Sequence, residues 1–421
     1  MDKRFYNIFG LTEEQAIAIL KAPVEELEDK TDRYVAVSHL INFPTEKSID
    51  ALIEAVENQD PEMYNRITRR KALESLGRLQ AERALPSIVP CLADEDIYTV
   101  ENAVWAIGEI GTEDEGILAK ITQLLELPKQ SYRTIIQVLS KLKYQAALEP
   151  IKKFVTYPEE PIASAAIAAV AGLTKDYSQI DKVVEFLQHT SVNARRASIQ
   201  DLIDSQYYGA IPDIAECPVS LVFRLRGIRL LAEQGIPSGE ITFTDDVEPY
   251  LDQVIRDRPE ELELVHEYDQ PPSLEFAIAE LYHTDFGRCY LASKTILEIY
   301  SQEAGEALMA AYEEKAYNDY GAHYHVMKLL GWLKYEPSYD LLVESLYKKT
   351  PQFQKSRGAA AIALGNLGKK EAIPFLKENL KSPIFDLKYA CLLALEQLGE
   401  TQTKEIVVQD HDFLIQAKAS I

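Results

Sequence analysis

Residues 69–92, RRKALESLGRLQAERALPSIVPCL, hold one full copy of a repeating unit. Ala72, Leu73, Leu76 and Leu79 recur at the spacing of one helix face. A short turn follows, and Leu85, Ile88, Val89 and Leu92 start the pattern again. The stretch therefore predicts two helices packed back to back. Similar phrases return at 105–125 (WAIGEIGTEDEGILAKITQLL), 137–155 (QVLSKLKYQAALEPIKKFV), 169–187, 329–346 and 363–380. With the small residue of each phrase as marker, Gly77, Gly108, Ser140 and Gly172 lie 31, 32 and 32 apart, and Gly331 to Gly365 is 34. A fixed period of this length built from helix pairs implies an all-α protein, an α-solenoid. The marker is small because two helices cross closely only where a side chain is nearly absent.

Composition agrees. A chain of 421 residues exceeds the usual limit of one compact core, whereas stacked repeats extend a core in one direction. No long uncharged apolar run suggests a membrane span, and the start, MDKRFYNIFGLTEEQAIAIL, has acidic residues where a signal peptide would be apolar. A cytoplasmic protein is expected. The net charge of −23 repels nucleic acid and anionic membranes. Cys91, Cys217, Cys289 and Cys391 form no CxxC, so neither a zinc site nor a disulfide framework is expected.

Along the chain, Thr12 with Glu13, Glu14 and Gln15 signals a helix start in an N-terminal cap, and Thr45 after Pro44 signals another. Repeats run to about residue 236. Between Pro237 and Pro271, eleven Asp and Glu face only Arg256 and Arg258, which reads as an acidic, irregular bridge with one helix near 247–256. Repeats resume over 272–421. Two solenoid blocks, 1–236 and 272–421, joined by the 237–271 bridge and enclosing a cleft, are the expected architecture.

No phosphate loop, GxSxG or HExxH is present. The only His-Glu dyad is His266-Glu267, so the multi-dyad iron site of the HEAT-repeat deoxyhypusine hydroxylases is missing, and no metal site is expected. One row of the repeat stands out. Seven residues before successive markers come Arg70, Glu101, Arg133 and Ala165; the row continues at Arg195, with near-equivalent positions at Arg224, Tyr324 and Arg357. Either these arginines tie repeats together in a ladder, with Glu101 or Asp201 as partners, or they line a groove for a ligand bearing carboxylates. Trp105 and Trp332 pack at or next to their markers, and Trp105 also suits the edge of a flat ligand. The densest set of proton-transfer groups lies at 282–294 and 316–328, where His283, Asp285, Arg288, Cys289 and Tyr290, then Asp319, Tyr320, His323, Tyr324 and His325, crowd two helix starts.

Taken in order, VENAVWAIGEIG, SYRTIIQVLSKL and ARRASIQDLID, with MDKRF and LTEEQAI before them, resemble the E/F-type phycobilin lyases of cyanobacteria. The likeness covers essentially the whole chain. It is greatest to the single-chain group, in which the halves of the two-subunit enzymes are joined. The resemblance implies HEAT-like repeats and attachment of phycoerythrobilin, a linear tetrapyrrole, by a thioether to a cysteine of apo-phycobiliprotein, here a phycoerythrin α subunit. Phycoerythrobilin is then a substrate, with no resident cofactor. Some members also isomerise the pigment to phycourobilin; the NHCQGN motif of one isomerising lyase is absent, and GAHYHV (321–326) does not replace it. On this reading Arg70, Arg133, Arg195 and Arg224 hold the propionates, Glu101 or Asp201 meets the pyrrole N–H groups, and Trp105 flanks the pigment. Tyr324, Tyr320 or His323 is the acid, and Asp319 orients it. A non-catalytic carrier of bilin or of the apo-protein is the alternative from another class.

Overall fold

The computed structural model describes residues 10–27, 29–400, 404–407 and 410–420. The MDKRF phrase lies outside them. Every regular element among the described residues is helical, and no described helix is long and apolar enough to cross a membrane. The chain divides into two compact units that part between Ile180 and Asp181.

The first unit contains α1 (Glu13–Lys21), α2 (Asp32–Leu40), α3 (Glu46–Glu57), α4 (Met63–Arg78), α5 (Leu85–Ile88), α6 (Ile97–Ile110), α7 (Glu115–Gln123), α8 (Tyr132–Lys141), α9 (Leu148–Lys152) and α10 (Glu160–Thr174). Thr12 caps α1 in a reciprocal capping box with Gln15, and Thr45 caps α3, both as expected. The helices α2, α4, α6, α8 and α10 stack in series, and their partners α3, α5, α7 and α9 lie between them in the chain. The markers pack as the repeat predicted: a methyl on Gly77 would come within 2.9 Å of the Ala106 Cα on the next stacked helix. A second regularity was not foreseen. Three residues after each marker the backbone turns left-handed, at Gln80 (φ 51°), Gly111 (84°), Lys143 (53°) and Lys175 (60°), which ends the long helix and starts the turn.

The second unit contains α11 (Asp181–Glu185), α12 (Val192–Ser205), α13 (Ile211–Glu216), α14 (Leu221–Ser238), α15 (Phe243–Asp246), α16 (Glu248–Arg256), α17 (Leu274–Glu280), α18 (Phe286–Ile299), α19 (Ala304–Glu314), α20 (Tyr320–Trp332), α21 (Tyr339–Leu346), α22 (Gln354–Leu367), α23 (Ile373–Asn379), α24 (Phe385–Gln397), α25 (Lys404–Val407) and α26 (Phe413–Ser420). Its most tightly stacked helices are α20, α22 and α24. At Gly331 of α20 an added methyl would meet the Ala363 Cα of α22 at 2.5 Å.

The stretch 237–271 differs from the expected bridge. The predicted helix is there as α16, but it is a core element: Val247, Leu251 and Val254 are fully buried, and α16 packs on α14, α22 and α24. Its acidic residues face outward or find cations, as Glu248 and Asp252 find Lys418, so counting charge alone mistook an amphipathic helix for a solvated link. The compact units accordingly divide at residue 180, well before this stretch.

Candidate functional site

Long helices of the repeat carry an arginine near their start that is spent on the fold. In α4, Arg69 donates from Nε to the Val56 carbonyl (2.6 Å) and pairs with Asp94. In α12, Arg195 donates to the carbonyls of His189 (2.7 Å) and Thr190 (3.1 Å) and pairs with Asp285 of the α18 N-cap. Arg224 of α14 donates to Val219 and Ala215 carbonyls and pairs with Asp257, while Arg357 of α22 donates to Leu346 and Asn379. Arg195 and Arg224 are 0% and 1% exposed, so both guanidinium groups are occupied inside the fold, with Asp285 and Asp257 as partners in place of the expected Glu101 or Asp201. Arg69 and Arg357 stand eight residues before their markers, not seven. Arg70, one residue on, leaves the buried face and forks onto both oxygens of Asp96 at 2.7 Å, its guanidinium lying over the Tyr98 ring.

Other predicted ligand contacts are dispersed. Glu101 is half-buried and accepts from the Thr134 hydroxyl at 3.1 Å. Trp105 packs against the first unit's core beside Arg78, and Arg133 donates to the Pro161 carbonyl. Asp201, 1% exposed, is inside α12 and cannot meet a pigment N–H.

Ionisable groups converge in the second unit on Asp257. This residue ends α16 in the left-handed region, at φ 54°, which an aspartate tolerates better than most residues. Its carboxylate is fully buried and accepts from Arg224 Nη2, from the Tyr290 hydroxyl at 3.1 Å and from the Tyr324 hydroxyl, with Lys328 Nζ at 3.8 Å. Burial opposes its charge, but Arg224, Lys328 and the Tyr324 hydrogen bond outweigh burial and hold the carboxyl below its usual range. Burial first, and Asp257 second, push the Tyr290 and Tyr324 phenols well above the ordinary tyrosine value. Lys328, which also donates to the Ile255 and Arg256 carbonyls, is pushed down to about 7 by burial, against the pull of Asp257. A single carboxylate thus joins α14, α16, α18 and α20.

The four predicted catalytic groups take different places around this node. Tyr324 is 1% exposed and its hydroxyl belongs to Asp257. His323 is fully buried between Tyr312 and Phe353, with Lys348 Nζ 3.3 Å from Nε2, and burial followed by Lys348 lowers it to about 4. Asp319 caps α20 by accepting from the Gly321 and Ala322 amides at 2.9 and 2.8 Å, so it holds the helix start and not a proton donor. Tyr320, half exposed, is the accessible member of the set.

Beside the node is a small cavity, about 10 Å³ counted as room for the centre of a water molecule, lined by Leu221, Ile255, Tyr324, Lys328, Lys355 and Asp386 among others. That is about the room of a single water, so the cavity does not enclose a tetrapyrrole. Lys355, in the first turn of α22, is lowered to about 7 by burial. Sequence reasoning named Tyr290 among the proton-transfer groups but missed Asp257, Lys328 and Lys355. Lys328 had a signal, a lysine inside the run HVMKLLGW where every neighbour reads as core; Asp257 and Lys355 had none, since their partners are 31 or more residues away.

The chain matches the family model for HEAT repeats at residues 63–133 and that for the PBS lyase HEAT-like repeat at 356–382. It is 57% identical to the uncharacterized phycocyanin operon protein Y of Pseudanabaena tenuis, over 99% of both chains. It is 31% identical to the bilin biosynthesis protein CpeY of a Synechococcus species, over 94% of this chain and 97% of that one. Among solved structures it resembles a chain of the phycocyanin lyase complex of CpcE and CpcF from a Nostoc species, with TM-score 0.51 and 25% identity over 58% of this chain and 94% of that one. Similarity to CpeY along nearly the whole of both chains, the lyase-type repeat and the structural likeness to the lyase complex lead to one assignment: the chain belongs to the E/F-type bilin lyase family.

Proposed function

We propose that the chain joins phycoerythrobilin through a thioether to a cysteine of a phycoerythrin α subunit. The observation that carries this reading is the similarity to a bilin biosynthesis protein along nearly all of both chains. In the reaction the client's thiol adds across the ethylidene double bond: the C–S bond forms, the π bond breaks, and the sulfur's proton is replaced by one delivered to the pigment, with no net oxidation. Tyr320 delivers that proton, being the exposed phenol at the start of α20. Tyr324 and Asp257 act behind it as positioning groups, locking α20 to α16. Moving a second double bond to give phycourobilin requires one further proton removal and return, again without redox change.

A second reading, phycocyanobilin on a phycocyanin subunit, is favoured by the operon name of the 57% identical relative. Coexpression of the chain with each bilin supply and each apo-subunit separates the cases. Pigment that survives acid urea on the phycoerythrin α subunit supports the proposal; survival on phycocyanin alone selects the second reading. Pigment that washes off every client leaves a carrier, and the absorption maximum of retained pigment decides isomerisation.

A further inference from the structure

Asp285 divides its two oxygens between the fold and a ring. Oδ1 accepts the Gly287 amide, which caps α18, and the Arg195 guanidinium. Among the described residues Oδ2 is left to His266 alone, with Nε2 at 3.0 Å. Burial opposes the charge of Asp285, but His266, the Gly287 amide and Arg195 outweigh burial and hold the carboxyl below its usual range. An ionised carboxylate only accepts, so His266 carries its hydrogen on Nε2 and keeps a lone pair on Nδ1.

Nδ1 is also placed as a base must be. It bonds to no described residue and is not buried, and the side chain is 24% exposed on the stretch between α16 and α17. That stretch does not need the histidine to hold it down: the Glu263 amide donates to the Glu216 carbonyl at 3.0 Å, and Tyr268 packs edge-on to Phe276. Gly287 leaves room for the ring, since a methyl there would come within 3.2 Å of His266 Cδ2. His283 is the opposite case. Its Nδ1 already accepts the Asp285 amide at 2.9 Å, so its neutral ring offers solvent no lone pair.

The attachment reaction lacks such a group. Tyr320 supplies a proton to the pigment, yet nothing so far receives the one that leaves sulfur. His266 stands at the start of α18 and Tyr320 at the start of α20, and the two helices pack together. Phe286, which follows Asp285, shares the Lys355 ammonium with Tyr320, Nζ lying 4.1 Å from one ring centre and 4.7 Å from the other. Packed helix axes lie about 8–10 Å apart, about the span of a thiol, the double bond it joins and a hydrogen bond at each end.

We propose that His266 is the general base of attachment, taking the thiol proton of the client's cysteine on Nδ1, with Asp285 as its positioning residue. The proposal rests on the bilin-lyase reading above. The S–H bond breaks towards Nδ1, the C–S bond forms as the π bond opens, and Tyr320 gives the pigment its proton. Solvent then takes the proton from His266 and restores the phenol, so nothing is oxidised or reduced.

The test is the initial rate of acid-urea-stable attachment between pH 7 and 9, with the pigment and client that the wild type accepts. An ordinary cysteine, of pKa about 8.5, is about 3% thiolate at pH 7 and about three-quarters thiolate at pH 9, so a chain without the base loses at most about 30-fold at pH 7 and little at pH 9. His266→Gln keeps a donor for Asp285 and removes the base. It should be about 10–30-fold slower at pH 7 and within about twofold at pH 9, at an unchanged urea midpoint. Tyr320→Phe should stay slow at pH 9, because alkali replaces a base and not an acid. Equal rates for His266→Gln and wild type at pH 7, or the same deficit at both pH values, overturn the base; so does a Tyr320→Phe deficit that vanishes at pH 9. Wild-type chain treated with diethyl pyrocarbonate gives an answer without a substitution. Activity at pH 7 should fall in step with carbethoxylation of His266, read by peptide mass spectrometry, and hydroxylamine should restore both; activity that outlasts the modification overturns the base. A wild type that attaches no pigment to any client removes the lyase reading and the base with it, whereas an active wild type beside an equally fast His266→Gln removes the base alone.

Discussion

Arg69 in the first unit and Arg224 in the second hold similar positions in the repeat, each with its guanidinium on a backbone carbonyl and an aspartate. Around Arg69 the pair is 10% and 19% exposed, and Asp94 lies just beyond the short helix of the same repeat. Around Arg224 the pair is 1% and 0% exposed, and its aspartate also serves two tyrosines and a lysine from helices far along the chain. The contrast teaches what depth does to an ion pair. Near solvent the two charges remain partly hydrated, and losing one leaves the other tolerable. In the interior an unanswered charge has no such escape, so each member depends on the rest.

Trp105 and Trp332 place one fluorescent reporter in each unit, so chains keeping only one tryptophan follow each unit's unfolding separately. The sharpest break should come from Asp257→Asn, which strands Arg224 and Lys328. We expect a loss of about 3–5 kcal/mol in the Trp332 urea transition and none in the Trp105 transition. A small loss there would erase the distinction between the two units.

The next largest effect is a pH dependence. His325 is fully buried among Phe286, Tyr290 and Tyr324, and burial followed by Lys355 lowers it to about 3 from 6.5. Below pH 6.5 the unfolded chain binds the proton that the folded chain refuses, so stability falls as pH drops from 6.5 towards 3. His325→Phe should remove roughly 2.5 kcal/mol of the stability difference between pH 7.5 and 4.5, two pH units below 6.5 at about 1.4 kcal/mol each. An unchanged pH slope would mean that the ring is hydrated.

Tyr324→Phe deletes one of the hydrogen bonds to Asp257 and should cost about 1.5–3 kcal/mol in the Trp332 transition. Attachment at saturating pigment should slow less than in Tyr320→Phe, because the buried phenol positions the helix while the exposed one meets the substrate. The reverse order of rates would return the acid role to Tyr324. Smallest is Arg70→Ala, whose fork onto Asp96 is 28% and 11% exposed; we expect less than about 1 kcal/mol in the Trp105 transition.

How much could be read beforehand follows from the range of the interactions. Periodicity, markers and caps are local, so the helix pairs, Thr12, Thr45 and the close approach at Gly77 were legible in order. The arginine row was legible as a row but not in its phase. Moving from residue 70 to 69 turns a side chain by about 100° around the helix, from a flank to the buried face. Likewise Asp319 looks like an orienting acid in a crowded phrase and is a helix cap, because the amides of Gly321 and Ala322 are nearer than any ring.

The amino-acid sequence by itself determined the helical class, the period near thirty-two residues and the family likeness, since all three are properties of neighbouring residues and their order. Only the tertiary structure decided that an acidic stretch holds a core helix, that its capping residue Asp257 is the counterion of Arg224, and that Lys355 lies over the rings of Phe286, Tyr320 and Tyr324. Those facts depend on which distant segments share an interior, and burial there sets the cost and the charge state of every ionisable group.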